Sequence, residues 1–172
     1  MANKIVNSIV NSLGSMVAIP LMKEVIVFII SMCPILELRG GLIAASLLHM
    51  NPVISYIICI IGNIIPIPFI LWLMNKILNS MRNSKSKKMN KVAKWLDKKV
   101  DKHKSQIEKF GYLGLVLFVG IPLPGTGAWT GCLIASVLEM DKKKSFLAAL
   151  TGVFIASIIM MILSFGILSK IV

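Results

Sequence analysis

Three long stretches without a charged side chain restrict what this chain can fold into. They cover residues 40–75, 110–138 and 145–169 and are 36, 29 and 25 residues long. A helix needs about 20 consecutive apolar residues to cross the hydrocarbon core of a bilayer. The stretches therefore predict an all-α integral membrane protein, and the 56% hydrophobic and 15% charged residues of the chain fit that class.

Most of the net charge lies in one segment between these stretches. Residues 76–109 hold 12 of the 19 lysines and arginines but only three acids, so they supply +9 of the net +12. A strongly basic chain can indicate nucleic-acid binding, but a basic segment between membrane spans is what the positive-inside rule predicts. We therefore expect a cytoplasmic connector at 76–109, both termini outside, and no nucleic-acid partner.

The two halves of the chain resemble each other at an offset of 90 residues. Residues 28–75 align with 118–165 without a gap, and 11 of the 48 positions are identical. Each half has about 30 residues broken by proline and glycine, followed by an apolar segment of 24 or 25 residues. Two full crossings need about 40 residues. We therefore predict that each broken part is a re-entrant hairpin whose turn lies near mid-membrane.

A hairpin plus one crossing is an odd number of membrane passages, so the second repeat is expected to be inverted relative to the first. A chain this short makes a thin bundle, for which we expect a homo-oligomer. The prediction is a single membrane domain, 1–172, made of an amphipathic interfacial N-terminal helix at 1–20, repeat 1 at 21–75, the basic connector at 76–109, and repeat 2 at 110–172.

The connector is expected to contain an amphipathic helix over residues 88–107. Its lysine-rich surface either lies on anionic lipid of the inner leaflet or is solvated and only sets the topology. The predicted apolar stripe consists of Met89, Val92, Leu96, Val100 and Ile107, with Trp95 at its border.

The turn of the first predicted hairpin, residues 34–41, carries two embedded charges. Glu37 and Arg39 are the only charged residues between Val25 and Leu48. Such charges cost at least about 2.5–3.5 kcal/mol in a membrane, so they usually face a cavity or a partner. Arg39 suits bidentate binding of a phosphate or carboxylate, and Glu37 is its counter-ion or a proton carrier. The alternative is a structural ion pair. Candidate substrate-binding residues here are Glu37, Arg39, Gly40 and Gly41.

The turn of the second predicted hairpin, residues 120–131, is rich in proline and glycine. Proline cannot continue a hydrogen-bonded helix, and glycine permits positive φ and close backbone approach. The helix that leaves each turn starts at mid-membrane, where its N–H groups and dipole favour an anion. The aromatic ring in this turn is either a wall against the substrate or a packed core residue. Candidate substrate-binding residues are Pro122, Pro124, Gly125, Thr126, Gly127, Trp129 and Thr130.

Asn63, Pro66 and Pro68 interrupt the first long apolar segment. They form a candidate hinge, and an accommodated kink is the alternative. The three cysteines and two histidines have no metal-ligand spacing, and no nucleophile and base are paired. The sequence therefore predicts no catalytic residue, no metal, no cofactor and no enzymatic activity.

Two of these motifs resemble a known family. Glu37-Leu38-Arg39-Gly40 and the run from Pro122 to Gly131, PLPGTGAWTG, resemble the signatures of the small multidrug export proteins, a compact branch of the DedA (SNARE-associated, or VTT-domain) superfamily. The resemblance implies paired re-entrant hairpins in inverted repeats. It also implies kinship with membrane proteins that move undecaprenyl phosphate or other lipids between leaflets. Larger DedA relatives carry an acid after this turn, whereas here Thr126 follows Gly125, which leaves Glu37 as the embedded carboxylate.

We expect the protein in a bacterial-type cytoplasmic membrane. Three functions are compatible with these features there. The leading hypothesis is a transporter, proton-coupled through Glu37, that binds an anionic head group at the two hairpin turns and translocates a polyprenyl phosphate or phospholipid. The first alternative is an exporter of cationic amphiphiles that uses Glu37 as the binding carboxylate. The second is a membrane scaffold, in which the same residues matter for folding only. The partners in the first two cases are the lipid bilayer and an anionic lipid or other amphiphile.

Overall fold

The computed structural model describes residues 21–83, 87–123 and 125–167. Every regular element in these ranges is helical, which confirms the predicted all-α class. The predicted N-terminal helix, 1–20, lies outside the described residues. The helices are α1 (Met22–Met32), α2 (Glu37–Leu47), α3 (Pro52–Ile64), α4 (Pro66–Arg82), α5 (Lys87–Gly120), α6 (Ala128–Val137) and α7 (Lys142–Met161), followed by a π-helical segment, Ile162–Ile167.

Two helical stretches of the described chain are long and apolar enough to cross a membrane. They are Pro52–Met74, which combines α3 with the first part of α4, and Lys142–Gly166, which combines α7 with the π-helical segment. Their lengths of 23 and 25 residues match those of the apolar segments predicted to follow each hairpin.

The parts predicted as hairpins contain short paired helices. In the first, α1 and α2 have 11 residues each, and both pack against α3. In the second, α6 has 10 residues and packs against α4 and α5. A helix of 11 residues is only about 16 Å long, roughly half the thickness of a hydrocarbon core.

The local structure at the ends of α2 and α6 recurs at the offset of 90. The N–H of His49 donates to Ser46 O, and the N–H of Met50 donates to Ala45 O; Glu139 and Met140 donate in the same way to Ser136 and Ala135. His49 and Glu139 have positive φ angles of 51° and 53°. Both helices therefore end in a Schellman motif, which is usually closed by glycine.

The helix α5 folds back on itself at Gly111. This glycine has φ 56° and ψ −131°, outside the helical region. The rings of His103 and Phe118 lie with centroids 5.3 Å apart, although 15 residues of straight helix would separate them by about 22 Å. Residues 87–110 and 112–120 are thus two helices joined by a one-residue reversal, and the second of them leads into the hairpin turn.

Gly111→Ala is expected to destabilise the protein by about 1–3 kcal/mol, because only glycine adopts this backbone conformation without strain. No atom lies within 4 Å of a Cβ built at this position, so crowding contributes nothing. Thermal unfolding in detergent measures the effect. Gly166→Ala is the control, since its Cβ would meet only Ile162 Cγ2 at 3.9 Å. Equal melting temperatures for the two variants would contradict a chain reversal that requires glycine at position 111.

The apolar stripe predicted for the connector differs in exposure along its length. Val100 and Ile107 are buried together with Ala93, whereas Met89 is 40% and Val92 is 47% exposed. The stripe is therefore covered in its C-terminal part, ahead of the reversal at Gly111. Trp95, predicted at the border, is also exposed.

The chain divides into two compact units that do not coincide with the two halves of the sequence. The first contains Met1–Ile65 and Val153–Val172, and the second contains Pro66–Gly152. In the first unit, two polar contacts link distant residues: Ser46 Oγ donates to Ser164 O at 2.7 Å, and Ser157 Oγ bonds Tyr56 OH at 3.0 Å. Each unit holds one hairpin and half of each long apolar segment.

Candidate functional site

Glu37 is the first residue of α2 and lies in the interior of the first unit. Glu37 is only 6% exposed, and its φ of 52° places its backbone in the left-handed region. The N–H of Glu37 donates to Cys33 O at 2.9 Å, which closes the turn between α1 and α2. A carboxylate in the first turn of a helix is stabilised by the helix dipole. A buried acid with an uncommon backbone conformation is typical of a functional site.

Arg39 lies beside Glu37 in the first turn of α2. Its side chain is half-buried, and its guanidinium interacts electrostatically with the Glu37 carboxylate. The structure thus brings together the two charges that the sequence singled out. Because the residue is half-buried, part of the Arg39 side chain stays exposed.

Gly40 and Gly41 have no open space beside them. A Cβ on Gly40 would come within 2.6 Å of Leu36 Cβ, and one on Gly41 would collide with Ser31 Oγ and approach Cys59 Sγ to 2.9 Å. Gly41 therefore lets α2 pack closely against α1 and α3. Their local role is packing behind the charged pair, and binding of substrate by these two glycines stays a prediction.

The second hairpin turn, described except for Pro124, is held by its own hydrogen bonds. The N–H of Leu123 donates to Ile121 O at 2.8 Å, and Thr126 Oγ1 lies 3.0 Å from Ile121 O and 2.9 Å from Leu123 O. Gly125 and Gly127 have positive φ angles of 88° and 142°. The single proton of the Thr126 hydroxyl is shared between these two carbonyl oxygens, which also accept from the N–H groups of Leu123 and Thr126.

Thr126→Val is expected to loosen this turn by about 1 kcal/mol, because it removes the hydroxyl but keeps the shape of the side chain. Amide hydrogen exchange over residues 121–127 should then rise. Thr126→Ser keeps the donor and is expected to exchange like the wild type. Equal protection in all three proteins would show that the hydroxyl does not hold the turn.

The helix that follows this turn starts without a side-chain cap. Gly127 is the N-cap of α6 and, having no side chain, supplies no side-chain cap. Thr130 is buried at 4% exposure, Trp129 is half-buried, and Pro122 is half-buried. The predicted residues of this turn therefore lie together within the second unit. Glu37 and Arg39, by contrast, belong to the first unit.

The candidate hinge lies at the junction of α3 and α4, where Ile65 keeps helical backbone angles, φ −51° and ψ −45°, and its N–H donates to Ile61 O at 3.1 Å. The helix α3 ends at Ile64 and α4 begins at Pro66, a position where the missing N–H of proline is tolerated. At the equivalent position of repeat 2, α7 continues without a break. Asn63 is 3% exposed, and within the described part of the chain its Oδ1 accepts no hydrogen bond. A buried amide oxygen without a donor costs about 1–3 kcal/mol, and a hinge role for Asn63, Pro66 and Pro68 stays a prediction.

Sequence reasoning missed a cluster formed by Trp72, in the middle of α4, and Lys142, at the start of α7. Lys142 Nζ lies 5.7 Å from the centre of the Trp72 ring, and both residues line hollows in the second unit. The lysines at 142–144 entered the sequence reasoning only as topology signals. An interfacial tryptophan next to basic residues is the signal that would have found this cluster.

Among the described residues, no group of three or more histidine, cysteine, aspartate or glutamate side chains is arranged to hold a metal ion. Residues 37–159 match the family model described as "Putative small multi-drug export protein". The chain belongs to this family. No curated protein and no solved structure matches it.

Membership of the small multidrug export family confirms the resemblance of the two turn motifs to that family, and kinship with the DedA superfamily stays a prediction. The matched region begins at Glu37 and includes both turns, the connector and α7 as far as Ile159. An export family with two apolar helices of spanning length identifies a membrane protein, and the family description is that of a transporter rather than an enzyme.

Proposed function

We propose that this member of the small multidrug export family is a transporter that binds an anionic head group at its two hairpin turns and moves a polyprenyl phosphate or a phospholipid between leaflets. The observation that carries the proposal is the buried Glu37 beside the half-buried Arg39 at the start of α2. Two charges inside a membrane segment are costly unless they serve a ligand or each other.

The chemistry of the site favours an anion as the ligand. The Arg39 guanidinium offers a planar fork of donors that matches phosphate oxygens. The start of α2 adds the positive end of a helix dipole, and the start of α6 provides a second end of this kind. Glu37 neutralises Arg39 while the site is empty and is the candidate proton carrier when the head group displaces it.

The proposed topology follows from the same elements. The short helices around each turn act as re-entrant arms, the second repeat is inverted, and the basic connector and residues 141–144 lie on the cytoplasmic side. The lysine content of these two segments supports that side, and the short lengths of α2 and α6 support the re-entrant arms.

A flux panel in proteoliposomes tests the proposal. Purified protein is reconstituted with labelled polyprenyl phosphate, labelled phospholipid or a cationic dye, each with and without a pH gradient. We expect protein-dependent movement of at least one phosphate-bearing lipid and none of the dye. Movement of the dye alone would overturn the anionic assignment.

The family description and the buried carboxylate favour one second candidate, an exporter of cationic amphiphiles. In that mechanism Glu37 binds the cation and Arg39 moves aside. Glu37→Gln then abolishes dye efflux and leaves lipid movement unchanged, whereas the anionic mechanism predicts that Arg39 is the side chain on which lipid movement depends.

A further inference from the structure

A groove between α4 and the start of α7 lies entirely within the second unit. It has a volume of about 390 Å³ and is lined by Pro68, Leu71, Trp72, Phe146 and Leu147, with Lys142 and Lys143 among its lining residues. The volume falls in the range of about 300–1,000 Å³ found for ligand pockets. Trp72 is 64% exposed although it borders an apolar groove.

A second, more polar hollow of about 280 Å³ adjoins the groove. The two share Leu71, Trp72 and Lys142, and the second adds Lys76 and Glu139. The groove is lined mainly by apolar residues of α4 and α7, whereas the second hollow also takes in Ser136 of α6 and Glu139 and Met140 from the segment between α6 and α7. On α4, Pro68 and Lys76 are eight residues apart, or about 12 Å. On α7, the lysines precede Phe146 and Leu147 by about one turn.

The charges at the polar end favour an anionic group over a neutral one. Four lysines, at 76, 142, 143 and 144, outnumber the two acids of the same segments, Glu139 and Asp141. Asp141 already accepts from the N–H of Lys144 at 2.9 Å and so caps α7. Lys144 Nζ also lies over the Tyr112 ring, at 6.0 Å. Lys76, Lys142 and Lys143 are the lysines that line the hollows themselves.

We propose that this joined groove is a binding site for an anionic phospholipid of the surrounding membrane, with the phosphate held by Lys76, Lys142 and Lys143 and an acyl chain lying along Pro68, Phe146 and Leu147. The separation of charge and apolar surface matches that of the lipid, and tryptophan is enriched at the level of lipid head groups. Glu139 is placed to accept from a hydroxyl of the head group, as in phosphatidylglycerol. The site does not rest on the hairpin turns, because none of its residues belongs to them.

Quenching of Trp72 by brominated lipid tests the site. In a Trp95→Phe, Trp129→Phe background Trp72 is the only tryptophan of the chain. Its fluorescence is measured in vesicles with dibrominated phosphatidylglycerol, phosphatidylethanolamine or phosphatidylcholine. We expect stronger association of phosphatidylglycerol than of either zwitterionic lipid. Because a lysine near an anionic surface contributes about 1 kcal/mol, Lys142→Gln with Lys143→Gln should lower that preference by roughly 5-fold per lysine.

Lys91→Gln with Lys94→Gln is the matched control, since it removes the same charge from exposed positions of α5. The site is supported if the control keeps the preference for phosphatidylglycerol and the variant Lys142→Gln with Lys143→Gln loses it. An equal loss in both, or no preference for phosphatidylglycerol in the parent protein, would overturn it. Neither result affects the proposed head-group site at the hairpin turns, because that proposal is tested by lipid flux in proteoliposomes and not by fluorescence quenching.

Discussion

Arg39→Ala is expected to lower translocation of phosphate-bearing lipid by roughly tenfold to a hundredfold. Hydrogen bonds to charged groups contribute about 1.5–3 kcal/mol, and every 1.4 kcal/mol corresponds to about tenfold. Arg39 is half-buried at the start of α2, so its guanidinium supplies such bonds where water cannot replace them fully. Initial rates in proteoliposomes, normalised to the amount of reconstituted protein, measure the change.

Removal of Arg39 also leaves the buried Glu37 without its neighbouring cation, which is itself destabilising. Two further variants separate binding from folding. Arg39→Lys keeps the charge but loses the bidentate fork, so its rate should lie between those of wild type and Arg39→Ala. Glu37→Gln with Arg39→Ala removes the unpaired charge and should fold well but stay inactive. Recovery of lipid flux in that double variant would contradict a binding role for Arg39.

Gly152→Val is expected to prevent correct folding, and Gly152→Ala to lower stability by about 1–3 kcal/mol through overpacking. A Cβ at Gly152 would lie 2.6 Å from Val119 Cβ and 2.9 Å from Val116 O. A backbone carbonyl cannot rotate away as a flexible side chain can. Close approach of helix backbones at small residues is the main device by which membrane helices pack.

Gly62 offers an independent test of the same packing, because its Cβ would lie 2.9 Å from Phe28 O. Gly62→Ala should therefore lower the melting temperature in detergent as Gly152→Ala does. Gly166→Ala again controls for the general effect of adding a methyl group. If Gly152→Ala kept both the wild-type melting temperature and a monodisperse elution profile, α7 would not be packed as described.

The sequence allowed prediction of the helical class, the two apolar segments and the places where helices end. Charge-free runs, prolines and glycines act locally, so their effects can be read without the fold. The junction before Pro66 and the helix start after Gly127 are examples. The sequence predicted a boundary between the connector and repeat 2 at 109/110, but not the reversal of the chain at Gly111, because a single glycine is also compatible with a continuing helix.

The charged residues of the candidate site could be predicted from the sequence, but the residues that pack around them could not. Glu37 and Arg39 stand out because they are the only charges in their stretch. The packing of Gly41 against Ser31 and Cys59 depends on three separate helices, and the burial of Asn63 depends on tertiary contacts of α3. The groove at Trp72 was missed for the same reason, since its residues come from two helices about 70 positions apart.

The composition of the two units has a consequence for synthesis of the chain. A nascent protein usually completes its N-terminal unit first. Here the first unit requires residues from Val153 onward, whereas the second is one continuous segment, Pro66–Gly152. The ribosome therefore delivers every residue of the second unit before the first has its full set of contacts. Until then Ser46 has no Ser164 to bond and Tyr56 has no Ser157, so the first unit gains its last contacts only after every residue of the second unit has been made.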